Sequence, residues 1–556
     1  MLTAKRLYLY SVLFVSLMLL LWGLADLARF LFDELAHAVG SAPAFGGTFA
    51  GEELSRALAL GLVAGITFVV HLLLVRRTLH GSPPEVADER ASASRSTYFF
   101  LALSATGVAL LLSTYELVRS LLGALAFGLR GYDLAWPLGG IVVFGAAWVL
   151  HLVVRRTDLR VAPGRLAGDW LTRAYLYGGL LVLCLIAALQ LGAALTVAAR
   201  GVLDLQPAWA SNRWWEEAAV GPVAASIAAS TAWLIHWLMA GHLLAAPDPM
   251  GAAHRLARTR RGYFLVLVLV SATSVLVFTA TGLQHLLAEL LGTWRPNEGS
   301  RLVEDIGGPL LVALPFAVTW WWHLRRAALE AARVGGATVH RAVTRTGRLV
   351  VAFVGLSGLV VGLAWQLRIL LATAMADHQT SLFTSGSASD DGAAALAVAL
   401  VGLVIWTPAW ALSQRERAGH SVEAAMSGSR RGYLMLVSGL AVVALMGSLA
   451  YLVWQGTRAL LESGTVGDTT WAFAILGVAT VVLGYHLWQL RADLALAPAI
   501  GAGEPVPGEA VTGIEARARE TIEISAPAGA DFKVLNAAIR SELPNGYELR
   551  VIDHTT

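Results

Sequence analysis

Long apolar runs, almost free of charged residues, alternate with short polar segments along most of the chain. Clear examples are Leu7–Ala25, Tyr98–Tyr115, Tyr263–Leu283 and Leu349–Trp365. Each run is long enough to cross roughly 30 Å of hydrocarbon as an α-helix. Water-soluble folds do not contain so many long apolar segments, so the pattern predicts a multi-pass membrane protein.

The runs predict twelve membrane-spanning helices, which pair into hairpins because a short polar segment separates the members of each pair. The first helix of each pair is near 30 residues, about 45 Å at 1.5 Å per residue, so it must tilt or project from the bilayer. The predicted spans are residues 6–36, 56–79, 95–127, 137–157, 171–200, 217–243, 259–291, 306–326, 342–374, 392–414, 429–462 and 470–493.

An internal repeat of about 77 to 90 residues underlies the hairpins. Arg followed closely by Tyr opens the first helix, at Arg6/Tyr8, Arg95/Tyr98, Arg173/Tyr175, Arg261/Tyr263 and Arg431/Tyr433, with Gly347-Arg348 in the fifth repeat. An aromatic-x-x-His motif lies near the end of the second helix, at Phe68/His71, Trp148/His151, Trp233/His236 and Trp320/His323. The fifth repeat has Trp406 and Ala409 in these places, and the sixth has Leu483 and His486.

The predicted fold is therefore an all-α membrane protein of six parallel-oriented two-helix repeats, followed by a small α+β cytoplasmic domain. A Pro- and Gly-containing linker is predicted at 495–513, and alternating then helical apolar spacing predicts a soluble β-α-β domain at 514–556. The repeats are assigned to residues 1–80, 90–160, 168–245, 256–330, 340–416 and 428–494.

Charge along the chain predicts the orientation. Arginines open the first helices and close the second helices, whereas acidic residues such as Glu304-Asp305 and Asp468 precede the second helices. Because basic loops stay in the cytoplasm, both termini are expected on the cytoplasmic side of the cytoplasmic (inner) membrane. Negative charge at helix starts and positive charge at helix ends also oppose the helix dipole.

Composition narrows the function classes. The chain is 56% hydrophobic and only 14% charged, with a formal net charge of +3 that lies mostly in arginines at helix ends. This distribution is explained by topology and indicates no nucleic-acid partner. The one cysteine, Cys184, excludes an intrachain disulfide and a cysteine-based metal cluster.

A column of histidines is the sharpest chemical candidate. An apolar setting favours neutral imidazole, which is a good ligand for haem iron or a transition metal. The same residues also fit an anchoring belt of His, Trp and Tyr near one membrane face, or a proton path. The column consists of His71, His151, His236, His323 and His486.

A second set of polar residues lies toward the opposite end of the first helices. Asp26 and Glu116 are each followed by an arginine at i+3, so each pair lies on one helical face. Such residues fit either solvated interfacial ion pairs or an outward-facing vestibule. The candidate vestibule residues are Asp26, Arg29, Glu116, Arg119, Gln190, Gln284, Gln366 and Arg368.

The chain resembles a bacterial family of repeat membrane proteins that is catalogued only as a domain of unknown function. The resemblance covers residues 1–493 and is carried best by Arg6-Leu7-Tyr8, by the segment from Trp148 to Leu152, and by the segment from Ala232 to Trp237. It implies no reaction, ligand or partner.

No phosphate-cradling, metalloprotease or catalytic-triad motif occurs in a usable context, so we expect a protein that is not an enzyme. The leading hypothesis is a membrane scaffold or sensor that presents residues 514–556 for self-association or to a cytoplasmic protein, with the lipid bilayer as its other partner. The alternatives are a channel or transporter, and a haem or metal protein that uses the histidine column. No cofactor is expected, although haem and metal stay open.

Overall fold

A computed structural model gives the fold, and every regular element among the residues it describes is helical. The chain divides into two compact units, Met1–Ala497 and Pro498–Thr556, and these helices belong to the first. The predicted β-α-β domain at 514–556 lies outside the described residues. The described residues are 2–38, 47–126, 134–161, 170–203, 205, 214–246, 251, 254–255, 257–292, 302–375, 387–419, 421–462 and 467–496.

The helices follow the predicted spans closely. The first seven are α1 (Leu2–Ala38), α2 (Gly47–Thr78), α3 (Pro83–Arg90), α4 (Ala93–Leu121), α5 (Ala135–Val161), α6 (Trp170–Val202) and α7 (Trp214–Ala245). The others are α8 (Arg258–Leu290), α9 (Leu302–Met375), α10 (Ser387–Gly419), α11 (Ser421–Ala425), α12 (Gly428–Glu462) and α13 (Thr470–Leu494). A short π-helical turn, Leu122–Ala126, continues α4.

Eleven stretches within the described helices are long and apolar enough to cross a membrane. Most run well beyond the ~20 residues that a bilayer requires, and the longest, Val339–Ala374, has 36 residues. These helices support the multi-pass membrane protein that the apolar runs predicted.

Helix α9 differs from the prediction, because one helix of 74 residues covers the second span of repeat four and the first span of repeat five. It is not a straight rod. The His340 Nδ1 atom lies 2.8 Å from the carbonyl oxygen of Ala328, and Leu324 lies against Gly347, a pair that a straight helix would place ~35 Å apart. Helix α9 therefore reverses between Ala328 and His340 and has a first and a second leg.

Helices of successive predicted repeats pack side by side. The first helices of the repeats (α1, α4, α6, α8, the second leg of α9, and α12) contact one another in chain order. Each second helix from α5 onward contacts the first helix of its own repeat and that of the preceding one. Close approach is possible where residues are small, as where Gly355, Gly358 and Gly362 of α9 lie against Ala399 and Gly402 of α10.

Candidate functional site

Each histidine of the column has a partner on the first helix of its own repeat. The opening tyrosine donates a hydrogen bond to the histidine Nε2 atom in three repeats: Tyr98 to His151 at 2.9 Å, Tyr175 to His236 at 3.1 Å and Tyr263 to His323 at 2.9 Å. The Nδ1 atom of all five histidines lies 2.7–2.8 Å from the backbone carbonyl four residues earlier. A carbonyl only accepts, so Nδ1 carries the proton and Nε2 is the acceptor.

The pairing weakens at the ends of the array and disappears in the fifth repeat. Tyr8 and His71 approach with ring centroids 5.8 Å apart, and Tyr433 and His486 do so at the same distance. Tyr433 Oη and His486 Nε2 are buried and have no hydrogen-bond partner among the residues described. In the fifth repeat the equivalent residues are Arg348 and Ala409, so tyrosine and histidine are lost together.

Tryptophans extend this network from one repeat to the next. Trp148, three residues before His151 on α5, donates from Nε1 to the Tyr175 hydroxyl on α6 at 2.7 Å. Tyr175 in turn donates to His236 on α7. Three consecutive helices are therefore joined through one tyrosine.

Four ion pairs, each with a buried arginine, lie nearby, at the end of the array where first helices begin and second helices end. Each joins an arginine at the start of a first helix to a carboxylate at the end of the second helix of the same repeat. We call these pairs the clasps: Arg95–Asp158 at 2.7 Å, Arg260–Glu330 at 2.6 Å, Arg345–Glu416 at 2.9 Å and Arg430–Asp493 at 2.6 Å.

The clasps follow a regular spacing that sequence reasoning missed. In the second, fourth and sixth repeats the arginine lies three positions before the tyrosine and the carboxylate seven positions after the histidine, and the fifth repeat keeps this spacing around Arg348 and Ala409. The first and third repeats lack both partners together, with Lys5 and Thr78 in one and Thr172 and Leu243 in the other. The sequence motif includes Arg95 but names Arg261, Arg348 and Arg431 in place of the clasp arginines Arg260, Arg345 and Arg430. The fixed acidic position is the signal that could have found the pairs.

The sixth-repeat clasp is the most deeply buried. The side chains of Arg430 and Asp493 are each 1% exposed. Asp493 also accepts an ion pair from Arg417 at 2.6 Å, and Arg430 donates to Ser413 at 3.0 Å. The guanidinium lies over Trp410, 5.1 Å from the ring centroid. Charges this far from water require such partners.

The first repeat uses a substitute for a clasp. Arg6 pairs with Glu89 of the short helix α3 at 2.7 Å, and the Tyr10 hydroxyl donates to the same carboxylate at 2.8 Å. Arg95 donates to Tyr10 at 3.2 Å. The first repeat is thus joined to the clasp of the second.

The charged residues of the candidate vestibule form ion pairs within their own helix or with a neighbouring helix. Arg119 pairs with Glu116 at 3.1 Å on the same helix, Arg29 with Asp33 at 3.9 Å, and Asp26 with Arg56 of α2 at 3.1 Å. Gln190, Gln284 and Gln366 are half-buried on three different helices.

Arg368 joins two helices at the end of the array opposite the clasps. It pairs with Asp468, just ahead of α13, at 3.2 Å and lies over Trp471. Arg200 of α6 makes the equivalent contact, pairing with Glu304 of α9 and lying over Trp214. Partial burial acts to raise the pKa of Asp468, but hydrogen bonds from Thr470 and Arg368 outweigh it and hold the pKa below its ordinary value.

These contacts bear on whether the histidines could bind a metal. Within the described part of the chain, no three His, Cys, Asp or Glu side chains converge into a candidate metal site. In the second, third and fourth repeats both ring nitrogens of the histidine face protein partners. A ligand that took Nε2 there would have to displace the tyrosine.

The fold and these buried polar pairs define a helical, multi-pass membrane protein. Two stretches of the chain, residues 6–133 and 345–485, match the family model DUF5671, described as a domain of unknown function. The resemblance that the sequence motifs predicted is thereby confirmed, and the domain is matched twice. No curated protein and no solved structure gives a significant match to the chain.

Proposed function

We propose that the chain is a non-enzymatic membrane scaffold, in which a helical array organises the region after residue 495 for self-association or for binding a cytoplasmic partner. In this proposal the array has twelve spans in six hairpins of one orientation, with the two legs of α9 each crossing the bilayer. Both termini then lie on the cytoplasmic side of the cytoplasmic membrane.

The main support for the proposal is that the buried charged groups pair with one another inside the array. In each clasp, an arginine of one helix pairs with a carboxylate of another. The histidines likewise accept hydrogen bonds from tyrosines of another helix. A catalytic or transport site needs polar groups that a ligand can reach, whereas paired buried groups chiefly specify one packing arrangement. A rigid array with its polar groups used internally fits a scaffold.

The last helix supports the same role. Asp493 is held by Arg417 and Arg430, and it lies four positions before Ala497, the last residue of the first compact unit. The point at which the chain leaves the array is therefore fixed by two charge-assisted contacts. A scaffold that presents a following domain benefits from such a fixed exit.

Removal of residues 505–556 tests this function. The truncated chain should keep the unfolding temperature of the full chain and lose its oligomeric state or its cytoplasmic partners, measured by cross-linking in native membranes. A variant in which a Gly/Ser segment of equal length replaces residues 505–556 controls for chain length. Unchanged assembly and unchanged partners would contradict the proposal, as would solute flux through the purified protein in liposomes.

A further inference from the structure

An open pocket at the end of α2 carries a strong positive charge. It has a volume of about 390 Å³ and is lined by Leu73, Arg76, Arg77 and His80. Both arginines are exposed, and neither takes part in an ion pair within the described ranges. The His80 ring packs back on the helix, with Nδ1 2.7 Å from the carbonyl oxygen of Arg76, and leaves Nε2 at the pocket.

The charge is uncompensated because the first repeat lacks the clasp carboxylate. The position that holds Asp158 in the second repeat and Glu330 in the fourth holds Thr78 here, and its hydroxyl donates to the carbonyl oxygen of Val75. Two of the acidic residues of α3 are used elsewhere, since Glu89 binds Arg6 and Glu85 caps its own helix. Among the residues that the structure describes, the two exposed guanidinium groups therefore have no carboxylate partner.

The pocket continues an apolar stripe along α2. Leu62, Ile66, Val69 and Leu73 follow at helical spacing and are each more than half exposed. Among the described helices, α2 packs extensively against α1 and touches α3 only slightly. In a bilayer such a face suits contact with acyl chains along its length and with headgroups at the arginines.

We propose that Leu73, Arg76, Arg77 and His80 form a binding site for an anionic phospholipid, in which the two guanidinium groups hold the phosphate and the apolar stripe holds the acyl chains. Arginine suits this role because its planar fork binds two phosphate oxygens at once. Basic groups at the headgroup level each add to the attraction for anionic lipid. The site is separate from the clasps and does not depend on the scaffold function.

Retention of phosphatidylglycerol by the purified full chain in detergent, measured by native mass spectrometry, tests the site. Arg76→Gln with Arg77→Gln should lower the affinity about tenfold or more. The matched control, Arg156→Gln with Arg325→Gln, removes two exposed arginines from the ends of other helices and should change it less than about twofold. Zwitterionic phosphatidylcholine should bind weakly to every form.

Two further measurements keep the test decisive. Leu73→Glu places a carboxylate in the pocket, keeps both arginines, and should abolish retention of the anionic lipid even if the double variant folds poorly. Inorganic phosphate at millimolar concentration should not displace the lipid. Equal losses in the double variant and its control, or displacement by inorganic phosphate, would overturn the proposal.

Discussion

At the scale of single residues, tyrosine hydroxyls are the main hydrogen-bond partners of the histidine column. Each imidazole has one nitrogen committed to its own helix, so the second nitrogen decides what the residue does. Apolar surroundings make an unpaired acceptor costly, and tyrosine meets this need in three repeats. The joint replacement of both residues, by Arg348 and Ala409, fits a structural pair.

Tyr263→Phe should therefore lower the free energy of unfolding by about 1 kcal/mol, because it leaves His323 Nε2 buried without a donor. Tyr433→Phe is the matched control. Its hydroxyl is buried without a hydrogen-bond partner among the described residues, so its removal should cost nothing measurable. Unfolding of both variants in one detergent gives the comparison, and equal losses would show that the hydrogen bond is not what stabilises the fourth repeat.

At the scale of helices, the clasps hold first and second helices together at one end. Their arginines and carboxylates lie about 60 to 70 positions apart in the sequence, as in Arg95 with Asp158, yet they meet in space because a hairpin returns the chain to its start. Apolar run length was enough to predict the helices, since hydrocarbon demands a continuous helix. It could not predict the pairs, because partner choice depends on how two helices are rotated about their own axes.

Asp493→Asn should lower the free energy of unfolding by about 3–5 kcal/mol, because the buried Arg430 guanidinium would lose its counter-charge, as would the partly exposed Arg417. The control is Glu116→Gln, which breaks a partly exposed pair on one helix and should cost less than about 1 kcal/mol. Chemical unfolding followed by the helical signal measures both. Similar losses for the two variants would mean that burial does not set the strength of the clasp.

The outer contact between α9 and α13 should respond to acid. Because the pKa of Asp468 is lowered in the folded chain, its stabilising contribution is complete above its ordinary pKa of about 3.9 and is lost as the pH falls through the lowered value. The unfolding temperature of the wild-type chain should exceed that of Asp468→Asn at pH 7, and the difference should shrink as the pH falls below about 3.9. A difference that persists at low pH would contradict a role for the ionised carboxylate.

At the scale of the whole molecule, the reversal in α9 decides the topology. With both legs in the bilayer the array has twelve spans and its termini share one side, whereas with only the second leg crossing it has eleven and they lie on opposite sides. The sequence predicted two spans here but not one bent helix, because alanine-rich sequence without proline keeps the intervening backbone helical. Whether the first leg crosses is therefore the feature on which the scaffold proposal depends most.

Single cysteines can test this directly, because Cys184 is buried and is the one cysteine to replace, as Cys184→Ala. In that background, Ala337→Cys in the bend should react with a membrane-impermeant thiol reagent from the same side as Pro84→Cys, in the segment after the first repeat, and as Thr556→Cys. Ser300→Cys, ahead of α9, should react from the other side. The physical reason is that a first leg with its apolar face in lipid carries the chain back across the bilayer before α9 turns. If Ala337→Cys reacts together with Ser300→Cys, the first leg does not cross and the region after residue 495 lies on the side opposite to the start of the chain.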